Sequence, residues 1–224
     1  MHDLDRPVWA SLTTFHASIA LGDARARRYP DDVNLFASTR DDEAASLDAL
    51  GALLAPGQTA YVLQMPPVRL PPVCIETHPG RGVQMLAERT LADDSGGDVQ
   101  PLGDADAADM LALAQLTRPG PFLARTHTMG AFVGVRIGGR LAAMAGERMR
   151  FPGYTEISGV CTHPDFRGRG LARRLSAVVG ARIQARGEQP FLHAWADNRP
   201  AIALYESLGF ALRTHVHASV IARR

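Results

Sequence analysis

The sequence of 224 residues predicts a mixed α/β fold, and three observations carry that prediction. Apolar residues recur at helical spacing in some segments and form short strand-like runs in others. From residue 104 onward the two patterns follow one another in turn, as they do in an α/β chain. Gly138-Gly139-Arg140 then separates two strand-like runs, so a hairpin makes the sheet mixed rather than purely parallel.

In the first part, Val8, Leu12, Phe15 and Ile19 predict a helix over 8–21, and Ala44, Leu47, Leu50 and Leu54 another over 43–54. Residues 60–63, 73–75 and 83–86 read as strands. Two seams interrupt the chain: 63–72, which holds Pro66, Pro67, Pro71 and Pro72, and the polar cluster 93–97. They divide the sequence into an N-terminal helix-and-strand region, 1–95, of unassigned role, and a second region, 96–224. The second region opens with a helix over 104–116 whose acidic first turn suits the helix dipole. The hairpin strands 129–137 and 141–149 follow, then a strand over 155–162 and a helix over 168–186 with Leu171, Leu175, Val178 and Val179 buried. A strand over 189–196, a helix over 200–208 opened by Pro200, and a last strand over 216–221 complete the order.

Composition excludes several classes. Hydrophobic residues at 46% and charged residues at 21% are ordinary for a globular chain and rule out one that is mainly disordered. Twenty-four basic residues, every one an arginine, oppose 23 acidic ones for a formal charge of +1, so no basic excess points to nucleic acid. Two cysteines, Cys74 and Cys161, are too few for a disulfide scaffold or a metal cluster. The first residues lack the pattern of an export signal, and no apolar run approaches the ~20 residues of a membrane span. The expectation is a cytoplasmic protein without membrane or nucleic-acid partners.

The most informative segment is Val160-Cys161-Thr162-His163-Pro164-Asp165-Phe166-Arg167-Gly168-Arg169-Gly170-Leu171-Ala172. It leaves a strand, turns through proline and opens a helix with two glycines where side chains would block approach. A helix start offers unpaired amides and a positive dipole end, and Arg167 or Arg169 can add charge-assisted bonds, so the segment reads as a diphosphate cradle. A triphosphate loop would need a lysine the chain lacks, and a dinucleotide fingerprint would need glycine where Arg173 stands. The plainer alternative is a loop-to-helix junction in which glycine relieves crowding.

Arg167-Gly168-Arg169-Gly170-Leu171-Ala172 resembles the Arg/Gln-x-x-Gly-x-Gly/Ala signature of the GNAT superfamily of acyl-CoA-dependent N-acyltransferases. About thirty residues on, the run from Asn198 through Ala201, Leu204-Tyr205 and Gly209-Phe210 resembles that family's second signature, Asn-x-x-Ala-x-x-Leu-Tyr-x-x-x-Gly-Phe. The resemblance spans residues 130–221 and implies that 96–224 is the family's catalytic domain, while the length and element order of 1–95 suggest a reduced unit of the same fold. It implies a twisted mixed sheet with two central parallel strands, 155–162 and 189–196, splayed apart around acetyl-CoA or another acyl-CoA. Main-chain groups of Val160, Cys161 and Thr162 would pair with the pantetheine arm, and the amides of Arg167, Gly168, Arg169, Gly170, Leu171 and Ala172 would hold the diphosphate. Asn198 would bind pantetheine or its loop, or simply cap the next helix.

The same resemblance implies direct attack of an amine on the thioester. Tyr205 would return a proton to the leaving thiolate, against the alternative of a core tyrosine. Glu156 is the expected general base, its carboxyl raised by half-burial at the splay, against the alternative of a solvent-facing strand residue. Glu147, His163 and His193 are rival bases, His193 by default a packing residue between Phe191 and Trp195. Cys161 reads as a small buried residue rather than a nucleophile. The expected function is transfer of an acetyl or other acyl group to a primary amine on a small molecule or peptide, with residues 1–95 flanking the sheet and shaping the acceptor pocket. The alternative is a non-catalytic acyl-CoA-binding sensor or interaction module.

Overall fold

The computed structural model describes residues 2–224. In chain order the elements are α1 (Pro7–Thr13), β1 (Leu21–Gly22), β2 (Ala26–Arg28), β3 (Ala37–Thr39), α2 (Ala44–Ala52), β4 (Thr59–Gln64), β5 (Cys74–His78), β6 (Arg81–Ala87) and β7 (Val99–Leu102). Then come α3 (Ala107–Thr117), β8 (Phe132–Ile137), β9 (Arg140–Phe151), β10 (Tyr154–Thr162), α4 (Leu171–Ala185), β11 (Gln189–Trp195), α5 (Arg199–Ser207) and β12 (Phe210–Arg223).

Nine strands form one mixed sheet in the order β4-β12-β6-β11-β10-β9-β8-β7, with β5 also on β12. β10 and β11 are parallel; their other partners in the sheet are antiparallel. The sheet runs across residue 95. β6 lies between β11 and β12, antiparallel to both, so a strand of the first region fills the heart of the sheet. β5 and β6 are two halves of one line along β12, broken at Pro79-Gly80. α4 and α5 cover one face, where Leu175, Val178 and Ile183 pack with Met85, Ile157, Leu192 and Tyr205. On the other face α1 and residues 29–36 bury Leu4, Val8, Leu12, Tyr29 and Phe36 against Met149, Phe151 and Phe191.

Several expected bounds shift for local reasons. The first helix stops at Thr13, where Thr13 and Thr14 hydroxyls bond back to the carbonyls of Trp9 and Ala10 and the chain turns away, leaving Phe15 half exposed. Gly168 and Gly170 both have φ above +70°, so α4 starts after them at Leu171. The last strand is far longer than 216–221, because it pairs with β4, β5 and β6 along its length. Three short strands, β1 to β3, and edge strand β7 carry no periodic signal. Pro101 is tolerated in β7 because that strand closes the sheet.

Candidate active site

β10 and β11 pair only from Tyr154↔Gln189 to Ile157↔Leu192 and then part. A β-bulge drives the parting. Between Ser158↔Gly146 and Cys161↔Met144, β10 spends one residue more than β9, with Gly159 at φ +64°. Beyond it, Val160, Cys161 and Thr162 keep β9 on one side and turn their other edge to a cleft of about 550 Å³.

That cleft gathers most of the residues the sequence singled out. Its walls include Val160, Cys161, Thr162, Arg167, Gly168, Arg169, Gly170, Leu171, Ala172 and Asn198. A Cβ built on Gly168 or Gly170 would meet nothing within 4 Å, so the turn faces open space. After Arg167, whose amide donates to Pro164 O, the next amide of the turn with a backbone partner is that of Arg174, which donates to Gly170 O. Thr162 Oγ1 is a buried polar atom without a partner among the described residues. Open glycines, unpaired amides and an orphan hydroxyl in one cleft fit a nucleotide diphosphate and its polar arm. Asn198 caps α5, accepting from the Ala201 amide at 3.2 Å, while still lining the cleft.

Cys161 is buried, and burial pushes its thiol up to about 11, the chemistry of a packing residue rather than a nucleophile. Tyr205 is 9% exposed and packs edge-on to Phe210. Burial, with the Glu156 charge adding to it, pushes its phenol up to about 12, so it holds its proton at neutral pH. Glu206, by contrast, points to solvent.

Glu156 departs from the expectation. It is completely buried, and Arg148 grips it with two hydrogen bonds, Nε to Oε2 at 2.7 Å and Nη2 to Oε1 at 2.6 Å. His193 Nδ1 lies 2.7 Å from Oε1. Burial alone would raise this carboxyl, but the Arg148 charge and these hydrogen bonds outweigh it and bring it down to about 2. The expected raised pKa is therefore corrected: the carboxylate is ionised and fully engaged. A second bulge makes this possible, since Arg148 and Met149 together oppose the single residue Glu156.

His193 extends the array. Its Nε2 is 3.0 Å from Gln84 Nε2, and Gln84 is locked the other way round by Arg213, which donates to Gln84 Oε1 at 2.9 Å. With Glu156 accepting at Nδ1 and Gln84 donating at Nε2, the ring is the Nδ1–H tautomer. Of the rivals, Glu147 pairs with Arg186 at 2.8 Å, and His163 caps the turn by accepting from the Asp165 amide. Sequence reasoning missed Arg148, Gln84 and Arg213; only Arg148 had a signal, its place in the strand just before the one that holds Glu156.

The model of the FR47-like protein family matches residues 132–218. A crystal structure from Novosphingobium aromaticivorans, assigned to the GNAT family of acetyltransferases, is 40% identical and superposes with a TM-score of 0.94 over 100% of both chains. This chain belongs to the GNAT family. The N-alpha-acetyltransferase RimI of Mycobacterium tuberculosis is 39% identical over 82 residues, 35% of this chain and 51% of that protein, so the chain spans about half the length of the curated relative it matches. A GCN5-related N-acetyltransferase from Kribbella flavida shares the fold at 16% identity, with a TM-score of 0.65 over 100% of this chain and 96% of that one. Among the described residues of this GNAT protein, no helix is long and apolar enough to cross a membrane.

Proposed function

We propose that this GNAT protein transfers an acetyl group from acetyl-CoA to a primary amine. The observation that carries the reading is the cleft at the parting of β10 and β11, with the open, positive-φ glycines Gly168 and Gly170 at the start of α4. The amides of residues 167–172 would hold the diphosphate, and the free edge of Val160, Cys161 and Thr162 would align the pantetheine arm as an added strand. Acetyl-CoA supplies an activated thioester carbonyl.

Tyr205 is the proton donor to the departing sulfur: its phenol is protonated, and no hydrogen bond holds its hydroxyl among the described residues. The base assignment moves one step along the array. Glu156 is a positioning residue that fixes the Nδ1–H of His193, and His193 Nε2 takes the ammonium proton by exchanging its hydrogen bond from Gln84. The imidazolium so formed faces the Glu156 carboxylate, and the second proton that the attacking nitrogen sheds as the amide forms restores the Tyr205 phenol.

The acceptor would reach this point over Trp195, two residues from His193 on the same strand face. Trp195 is half exposed and walls a groove of about 870 Å³ with Tyr61, His78, Arg81 and Asp197, so residues 1–95 contribute much of the acceptor side. The name of the RimI relative makes peptide N-termini the first acceptors to try. The deciding measurement is thiol release from acetyl-CoA across a panel of peptide N-termini, amino acids and polyamines. Turnover with at least one amine is expected. Tight CoA binding without turnover on any amine would favour the non-catalytic sensor instead.

A further inference from the structure

The cleft is lined by four arginines, Arg118, Arg167, Arg169 and Arg173, and by no aspartate or glutamate. Neighbouring arginines that point elsewhere are neutralised: Arg136 pairs with Asp106 and Asp109, and Arg174 with Asp98. Three of the four cleft arginines lie on the glycine turn or the first turn of α4. Arg118 does not. It lines the same cleft from a different element, just past the C-terminal end of α3.

Its backbone is unusual. Arg118 has φ 51° and ψ 57°, the left-handed region, and it is the only non-glycine residue with positive φ among those described. Its amide closes the helix on Ala114 O at 2.7 Å, a position glycine or asparagine normally fills, and Pro119 prevents the helix from continuing. The end of a helix carries partial negative charge and would repel an anion in the cleft. A guanidinium set there by a strained backbone reverses that field. Strain kept at a site wall is a pointer to function rather than to packing.

Building on the acetyl-CoA reading, we propose that Arg118 binds the diphosphate of coenzyme A from the end of α3, a second element beside the glycine turn. The amides of 167–172 and the guanidinium of Arg118 would then hold the same anion from two elements, with α3 clamped to α4 through the ligand. A planar fork of donors suits phosphate oxygens, and nothing else in the cleft offers it an anion.

The test is calorimetry on the full chain with three ligands: coenzyme A, dephospho-CoA, which keeps the diphosphate but lacks the ribose 3′-phosphate, and pantetheine, which has neither. Arg118→Gly is the informative variant, because glycine relieves the left-handed strain and should leave the melting temperature unchanged or raised. It should weaken coenzyme A and dephospho-CoA by the same factor, on the order of tenfold, as a charged hydrogen bond is lost, and leave pantetheine unaltered. Arg118→Lys should recover part of the loss. Equal affinity of wild type and Arg118→Gly for coenzyme A would overturn the inference while leaving the cleft assignment intact; a loss confined to coenzyme A would overturn it by moving the contact to the 3′-phosphate. No binding of coenzyme A by the wild type would instead remove the reading beneath it.

Discussion

Glu156 and Tyr205 are neighbours in charge yet opposite in state, and their environments explain the difference. Tyr205 is buried without a cation, so its phenol rises and keeps its proton. Glu156 is buried on top of Arg148, so its carboxyl falls and loses its proton. Tyr205→Phe should therefore lower kcat by roughly a hundredfold, as loss of a general acid does, with affinity for CoA unchanged by calorimetry. Glu156→Gln should act differently. It leaves Arg148 buried without its partner, and breaking such a pair costs about 3–5 kcal/mol, to be read as a lower urea midpoint. The pH dependence has a definite sign. A carboxyl depressed from 4.5 to about 2 contributes stability above its unfolded value and loses it as pH falls through the interval between the two. Urea midpoints of the wild type should drop across that interval, and the Gln variant should lack this share of the drop. The residue types at these positions were legible in the sequence; the depressed carboxyl of Glu156 was not, because Arg148 reaches Glu156 only through a bulge.

Two local irregularities shape the elements around the site. The bulge at Gly159 opens the gap between β10 and β11, and the pair Gly168 and Gly170 opens the turn into α4. Gly159 has no room to spare, since a Cβ there would approach Phe132 Cε1 to 2.9 Å. Gly170 has all the room but the wrong dihedral for other residues, so Gly170→Ala tests the turn alone. A left-handed backbone costs an ordinary residue about 1–2 kcal/mol, so CoA affinity or the melting temperature must fall accordingly; no change in either would argue against a rigid turn. The glycine signature was readable because its chemistry is local: a strand end, a turn and a helix start adjoin in sequence. Elements without a local signal went unseen. β1 to β3 are two or three residues long, and β7 contains a proline that only an edge position permits.

At the scale of the molecule, the decisive fact is the place of β6. It pairs with β11 from Gly82↔Trp195 to Leu86↔Phe191 and with β12 along its whole length. It also carries Gln84 to His193, and Gln84 donates to Leu4 O as well. A fragment 96–224 would leave β11 and β12 with unpaired edges and expose the apolar faces that Val83 and Met85 cover. That fragment should give a collapsed, poorly dispersed NMR spectrum and bind no CoA; a folded, binding fragment would show that the seam at 93–97 separates autonomous units. From the sequence alone came the fold class, the family and the glycine turn into α4, since each depends on periodicity or on residues close together along the chain. Tertiary structure alone decided that the Glu156 carboxylate is gripped by Arg148, which imidazole stands at the splay, and that the first region completes the sheet. The last two depend on pairings such as Gln84 with His193, 109 positions apart, and the first on a bulge that sets Arg148 against Glu156; the sequence carries no local record of either.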